Sequence, residues 1–344
     1  MSTVKYAFVS SYLKGQEARL VTSEHIDRLA GAASVQDALG TVRETDVGSY
    51  LEELSDASSD RLDESLWKYL AQRIAFLEWL KLLPQDVRSI LRAYTAKYDV
   101  FNIKAALVGV YTGKKAGMIP AGTIHNDGLL DELSRAESVD DIIRVLGKCK
   151  LDDYVPVLEQ ARADEAADLD LSVQARLEAL YHRNLLAVAG RVKDGPALRE
   201  AFGLVIDLAN LQLALRAIIL DLTPPISELT IADGREITVQ VVKELVSLKL
   251  TEVPDRLENT RYTDIVKEIA AGYERTKSVT AVDETIEKHK FRILKEMLAL
   301  KVLSPLVAAW YLVLKETEVR NLRLVLKAIA DEVPVQDITS LLVP

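Results

Sequence analysis

The amino-acid sequence predicts an all-α protein made of three similar helical domains. Three observations lead to this fold class. Apolar residues recur at helical spacing along almost the whole chain, strand signals are scarce, and one short motif returns three times at a nearly constant interval. The chain has 344 residues, of which 49% are hydrophobic, so it is too long for one compact bundle and long enough for several small cores.

Helical periodicity is clearest between residues 62 and 83. Pro84 is expected to end this helix or to begin the next one. Signals for β-strands are limited to short stretches of β-branched alternation such as Glu236–Gln240, next to a glycine, so we interpret the chain as all-α. The apolar positions that define the periodic face are Leu62, Leu66, Tyr69, Leu70, Phe76, Leu77, Leu80 and Leu83.

A short motif recurs in Tyr98–Leu107, Ile206–Leu215 and Thr317–Leu326. Each copy contains an acidic residue, two further residues, an asparagine, and then Ile or Leu. The asparagines are separated by 210 − 102 = 108 and 321 − 210 = 111 residues. This near-constant period predicts domain-sized repeats.

A second segment supports the repetition. Ile26–Leu39 aligns with Leu130–Ile143, and Tyr50 and Tyr154 keep the same offset, 154 − 50 = 104. The third copy, Val242–Leu257, is weaker and needs a gap.

The segments that connect the repeats also correspond. Gly117–Ile124 and Leu229–Ile237 each contain a glycine that is expected to break a helix before a new apolar run begins. Boundaries near 125 and 236 follow, and the predicted helical repeat domains are 1–125, 126–236 and 237–344.

The acid and the asparagine of each motif are three residues apart, so they share one face of a helix. Two interpretations remain open. Each asparagine satisfies the backbone of a neighbouring helix within its own domain, or the pairs face a central cavity or a partner. The repeated polar pairs are Asp99 with Asn102, Asp207 with Asn210, and Glu318 with Asn321.

Composition excludes several classes of protein. The formal charge of −9 disfavours a broad nucleic-acid interface. Cys149 is the single cysteine, and the first residues lack the pattern of a secretory signal, so we expect a cytoplasmic protein. The longest apolar run, Val302–Leu314, has 13 residues, whereas a bilayer-spanning helix needs about 20. It is predicted to be a buried helix, and any membrane contact is expected to be indirect.

No motif predicts catalysis, cofactor binding or metal binding. Gly109–Lys115 approaches a phosphate-binding loop, but it has the wrong glycine spacing and follows a helix, so we interpret it as a helix C-terminal turn. The lysines next to Cys149 would lower the pKa of its thiol, yet no histidine is near in sequence and a passive thiol is favoured. The four histidines lack metal-ligand spacing; they are His25, His125, His182 and His289.

The joint pattern of Tyr6–Leu39, Tyr98–Leu107 and Ser304–Ile338 resembles the C subunit of the archaeal and bacterial A/V-type rotary ATPases, which is related to the d subunit of eukaryotic V-ATPases. The resemblance spans the whole chain. It implies three similar helical domains arranged as a funnel with pseudo-threefold symmetry. Two departures from threefold repetition are the eroded third copy of the upstream segment and Glu318 in place of an aspartate.

The resemblance also implies a function. A member of this family is a peripheral, non-catalytic subunit on the cytoplasmic face of the membrane and binds no cofactor. It connects the central shaft subunits with the membrane proteolipid ring and transmits torque between ion translocation and ATP synthesis or hydrolysis. The alternative is a generic α-helical scaffold that binds other helical proteins.

Overall fold

A computed structural model describes residues 3–32, 34–51, 59–80, 83–114, 117–163, 171–222 and 225–343. Within these ranges the chain is helical and contains no strand, so the predicted all-α class is confirmed. Short 3₁₀ helices occupy Thr3–Tyr6, Asp152–Tyr154, Leu250–Glu252 and Thr339–Leu341. The α-helices are α1 Ala7–Glu17, α2 Ser23–Ala30, α3 Val35–Thr41, α4 Gly48–Leu51, α5 Ser59–Trp79, α6 Gln85–Thr112, α7 Thr123–Asn126, α8 Leu130–Ser134, α9 Val139–Lys148, α10 Val155–Ala163, α11 Leu171–Ala189, α12 Gly195–Ile219, α13 Ile226–Leu229, α14 Val239–Leu245, α15 Val253–Arg256, α16 Thr263–Thr276, α17 Thr280–Leu298, α18 Leu306–Ala330 and α19 Val335–Ile338.

The chain divides into two compact units. Unit 1 consists of Met1–Leu91 and Leu294–Pro344, and unit 2 consists of Arg92–Ile293. The division falls within α6 and within α17. Compactness therefore groups the residues differently from sequence repetition, and the three domains with boundaries near 125 and 236 stay a prediction.

The periodic segment before Pro84 forms α5, and Pro84 lies just before α6. The Pro84 carbonyl accepts a hydrogen bond from the Arg88 backbone N–H at 3.1 Å, which starts the α6 ladder. Proline suits this position because it has no N–H to leave unpaired there. Phe76 departs from the expected buried face, since 39% of its surface is exposed.

The upstream repeated segment forms a pair of short helices in each of its first two copies. Ser34 begins α3 and Ser138 begins α9, and each hydroxyl accepts the backbone N–H three residues later, at 3.1 and 3.2 Å. A serine at this position satisfies one of the unpaired N–H groups of the first helical turn. The aligned serines of the sequence are thus helix N-caps.

The region around Glu236–Gln240 is a helix start. Thr238 is the N-cap of α14, and its hydroxyl accepts from the Val241 N–H at 3.4 Å. The β-branched alternation therefore does not produce a strand, because α14 packs its apolar residues Val242 and Leu245 into the core.

The apolar run Val302–Leu314 leads into α18, whose residues from Leu306 to Val313 are all buried within unit 1. The predicted buried helix is confirmed from Leu306 onward, whereas Val302 and Leu303 are exposed. One described helix, α12, is long and apolar enough to cross a membrane by length and composition alone. Most of α12 is buried within unit 2, as expected for a core helix.

Candidate functional site

The three repeated polar pairs lie on the three long helices α6, α12 and α18. All six side chains are buried, although each is polar. Burying such groups is costly unless each one finds a hydrogen-bond partner. Their partners therefore decide what the repeated motif does.

Each asparagine pairs with the backbone of a segment that follows its own helix. Asn102 accepts from the Ile119 N–H at 2.8 Å and donates to the Ile119 carbonyl at 2.9 Å. Asn210 forms the same pair with Ile231, at 2.9 Å in both directions, and also donates to the Ile237 carbonyl.

The third asparagine repeats this contact at the C-terminal end of the described chain. Asn321 accepts from the Val343 N–H at 3.0 Å and donates to the Val343 carbonyl at 2.6 Å. Val343 follows Asn321 by 22 residues, against 17 and 21 residues in the first two copies. All three side chains thus pair with both backbone groups of a residue that lies outside any helix and has no helical partner.

The first two acids bind the backbone where the next repeat begins. Asp99 accepts the N–H groups of Thr123 and Ile124 at 3.0 and 2.9 Å. Asp207 accepts the N–H groups of residues 235, 236 and 237 at 2.7 to 3.0 Å, and the Tyr262 hydroxyl donates to it at 2.6 Å. A carboxylate that accepts several N–H groups resembles an anion at a helix N-terminus, and each such charge-assisted bond is strong.

Two connector glycines make these contacts sterically feasible. A Cβ atom on Gly122 would lie 2.5 Å from the Asp99 carboxylate, and one on Gly234 would lie 2.6 Å from the Asp207 carboxylate. Gly122 also has φ of +93°, which side chains disfavour. The glycines that break the predicted helices therefore also let the backbone approach a buried acid.

The third acid is different. Glu318 accepts from the Val21 N–H at 2.8 Å, in the turn before α2, so it reaches the beginning of the first repeat. It also accepts from the Tyr69 hydroxyl at 2.8 Å and from the Lys315 ammonium at 3.1 Å. Glu318 thus performs within unit 1 the role that the two aspartates perform within unit 2, with one backbone N–H instead of two or three.

Lys315 is the centre of a buried charge cluster that sequence reasoning missed. It is fully buried and lies 3.1 Å from Glu318 and 3.5 Å from the Asp46 carboxylate, and it also donates to the Tyr69 hydroxyl. The partly exposed Arg73 side chain lies 3.6 Å from the same Asp46 carboxylate. The sequence signal that could have revealed this cluster is a lysine three residues before the repeated acid, inside a mostly apolar helix.

A buried tyrosine lies near the aspartate of each of the first two motifs. Tyr262 follows Tyr154 by 262 − 154 = 108 residues, the period of the first two asparagines. The pKa of Tyr262 is raised mainly by burial and secondly by Asp207. The pKa of Tyr154 is raised mainly by burial and secondly by Asp99. Both phenols therefore stay protonated at neutral pH. Tyr50, by contrast, donates to the Gln72 side chain at 2.6 Å.

The remaining candidate reactive groups are Cys149, the Gly109–Lys115 segment and the histidines. Burial, followed by Asp127, raises the pKa of the Cys149 thiol to about 11, opposite to the effect expected of its flanking lysines. Among the described residues no three His, Cys, Asp or Glu side chains are placed to hold a metal ion.

The Gly109–Lys115 segment is a helix end, as predicted: α6 stops at Thr112, and Gly113 has φ of +69°. Lys115 lies outside the described residues.

The four histidines lie in different environments. His25 accepts the Thr22 N–H at 3.1 Å at the start of α2, and His289 lies 2.8 Å from the Glu268 carboxylate. Burial lowers the pKa of His125. The Nδ1 atom of His182 is buried without a hydrogen-bond partner, and burial, followed by the positive charges of Lys290 and Lys97, lowers the pKa of His182 to about 4.

Comparison with known proteins identifies the family. A family model described as the ATP synthase (C/AC39) subunit matches residues 9–341. The chain belongs to this family. Its members are non-catalytic subunits of the synthase, so the expectation that the chain is not an enzyme is confirmed.

Curated relatives of this ATP synthase family match the chain over most of its length. The C subunit of the A-type ATP synthase of Methanocaldococcus jannaschii is 25% identical, and the match covers 98% of this chain and 86% of the relative. The proteins of the same name from Pyrococcus furiosus and Methanothermobacter thermautotrophicus are 24% and 26% identical; these matches cover 95% and 88% of this chain and 87% and 80% of the relatives. The resemblance seen in the sequence is therefore confirmed.

The asparagine contacts predict a loss of stability on truncation. Asn210→Ala leaves the Ile231 N–H and two carbonyl groups unpaired, so we expect the free energy of unfolding to fall by about 1–3 kcal/mol. Asn102→Ala and Asn321→Ala should act in the same direction, and chemical denaturation measures each effect. Asn126→Ala, at an exposed position, is the control. If the triple Ala variant kept its thermal stability but lost binding to partners, the structural role would be wrong.

The charge cluster predicts a larger effect for Lys315→Met. Removal of the ammonium leaves the buried Glu318 carboxylate without its cation and takes one of three cations from the buried Asp46 carboxylate, so the free energy of unfolding should fall by about 3–5 kcal/mol. Adding Glu318→Gln should restore part of the loss in urea denaturation. Lys327→Met, at the more exposed pair with Asp63, should cost less than about 1 kcal/mol. Equal losses for the two lysine variants would contradict the cluster.

His182 predicts a pH dependence. Its pKa in the folded protein is about 4, below the unfolded value, so the unfolded chain binds more protons between about pH 6.5 and 4. The free energy of unfolding should therefore fall as the pH falls through this window, by about 3 kcal/mol at most. His182→Gln should remove this part of the slope in denaturation curves, and His25→Gln should retain it. An unchanged slope in His182→Gln would refute the assignment.

Proposed function

We propose that this chain is the central-stalk C subunit of an A-type rotary ATP synthase. In this role it connects the central shaft subunits with the membrane proteolipid ring and transmits torque between ion translocation and ATP synthesis or hydrolysis. The observation that carries the proposal is the family match over residues 9–341, together with relatives that are named as this subunit of A-type ATP synthases and match along their length.

The geometry of the buried polar pairs supports a mechanical role. A protein that transmits torque needs connections that resist bending, because a flexible joint would dissipate the rotation as internal motion. Here the connectors after α6 and α12 are each held by an aspartate and an asparagine from the preceding helix. These bonds attach successive helical elements to one another through buried groups, where water does not compete for them.

The proposal places the chain on the cytoplasmic face of the membrane as a peripheral subunit, with membrane contact through the ring. The proposed function involves no nucleic-acid partner. The arrangement of three similar domains as a funnel with pseudo-threefold symmetry is part of the same proposal. It is supported by the three corresponding sets of buried contacts made by Asn102, Asn210 and Asn321.

Coupling in a reconstituted complex tests this function. The synthase is purified in mild detergent with and without this chain and placed in lipid vesicles. We expect the complex without the chain to hydrolyse ATP but to pump no ions, because rotation no longer reaches the ring. Adding the purified chain back should restore pumping, measured with a dye for the ion gradient. Ion pumping at the full rate without the chain, or failure of the chain to co-purify with the synthase, would contradict the proposal.

A further inference from the structure

Unit 1 exposes two of the chain's five phenylalanines. Phe8 and Phe76 have 49% and 39% of their surface exposed. They lie on either side of Tyr12, with ring centroids 6.3 Å apart for Phe8 and Tyr12 and 5.6 Å apart for Tyr12 and Phe76. We call these three rings the aromatic ladder. Exposed aromatic residues in contact with one another mark protein interfaces, because their burial is strongly favourable.

The ladder borders the outward face of α1. The inner face of this helix buries Val9 and Leu13 in unit 1. Its outward residues Ala7, Ser11 and Gly15 are exposed and small. Small side chains beside a ridge of rings form a shallow groove, and such a groove lets the backbone of a second helix come close. The shape therefore fits an α-helix better than a β-strand, whose main chain needs an open sheet edge.

The charges at one end of the ladder are unbalanced. Arg19 and Arg73 approach the same carboxylate, Asp46, at 3.0 and 3.6 Å, and the side chain of Arg19 remains 60% exposed. Asp46 is buried and also lies 3.5 Å from Lys315, which in turn pairs with Glu318. Three cations therefore face two carboxylates.

Lys5, just before α1, and Lys14, on α1, each have their own carboxylate. Lys5 pairs with Asp86 at 3.0 Å, and Lys14 pairs with Glu17 at 2.8 Å. The excess positive charge is thus confined to the end near Arg19 and Arg73. Both arginines lie close enough to Tyr12 to act electrostatically on its phenol.

We propose that the aromatic ladder and the outward face of α1 form a docking site for an amphipathic helix of another protein of the synthase. The apolar face of that helix covers Phe8 and Phe76, and an acidic residue near one of its ends pairs with Arg19 or Arg73. Complementary charge at one end fixes the direction of the docked helix. This inference rests on the proposed function, which supplies the partner complex.

Site-directed photo-crosslinking identifies the occupant. The photoreactive residue p-benzoylphenylalanine replaces Phe8 or Phe76 in the assembled synthase, and Val333, which is 40% exposed in the same unit, is the control position. We expect both ladder positions to crosslink to one helical segment of another subunit that contains Asp or Glu within two turns, and Val333 not to reach that segment. Crosslinks to lipid, to a second copy of this chain, or to no other molecule in the intact complex would overturn the inference.

Binding measurements supply a second test with purified components. The chain is titrated against synthase that lacks it, with Phe76→Ala, Arg19→Glu and the control Val333→Ala. We expect the first two variants to bind at least about tenfold more weakly than the control, with the thermal melting of Phe76→Ala unchanged. Equal affinities for all variants would overturn the docking site. If the unaltered chain itself failed to bind the synthase, the proposed function would fail instead.

Discussion

The structure depends on one requirement: a buried backbone group needs a hydrogen-bond partner. Ile119 after α6 and Ile231 after α12 lie outside any helix, so their backbone groups have no helical partner. Asn102 and Asn210 supply the missing partners, and Asp99 and Asp207 do the same where the next helical element starts. A buried amide or carboxylate in a long helix is unfavourable by itself, and here the hydrogen bonds to a neighbouring backbone offset that cost.

In the third copy of the motif the same requirement is met by a different set of hydrogen bonds. Asn321 holds Val343 as the other asparagines hold their connectors, but the acid of this copy is a glutamate instead of an aspartate. Its longer side chain reaches Val21 before α2 instead. A glutamate that accepts only one backbone N–H is less well satisfied than Asp207, and Tyr69 and Lys315 provide the remaining donors. The third acid therefore differs from the first two in its length and in the segment whose backbone it binds.

Local patterns predicted the all-α class and the positions of some helices. The spacing of apolar residues located α5, Pro84 located the start of α6, and the aligned serines of the upstream repeat are N-caps of short helices. The β-branched residues of Glu236–Gln240 form no strand, because Thr238 is the N-cap of α14 and Val239 is its first residue. Phe76 has helical spacing too, yet it is exposed, since periodicity places a residue on a face without showing how far the core extends.

The sequence by itself determined the all-α class, the repeated acid and asparagine, and the family, because these follow from local spacing and from self-comparison. The partners of those polar residues were decided only by the tertiary structure. Asp99 meets Ile124 and Glu318 meets Val21 across 25 and 297 residues of chain, and no local pattern records such a pairing. The same holds for the cluster around Lys315 and for the ladder of Phe8, Tyr12 and Phe76: a contact between distant segments depends on how the helices pack, which local periodicity does not specify.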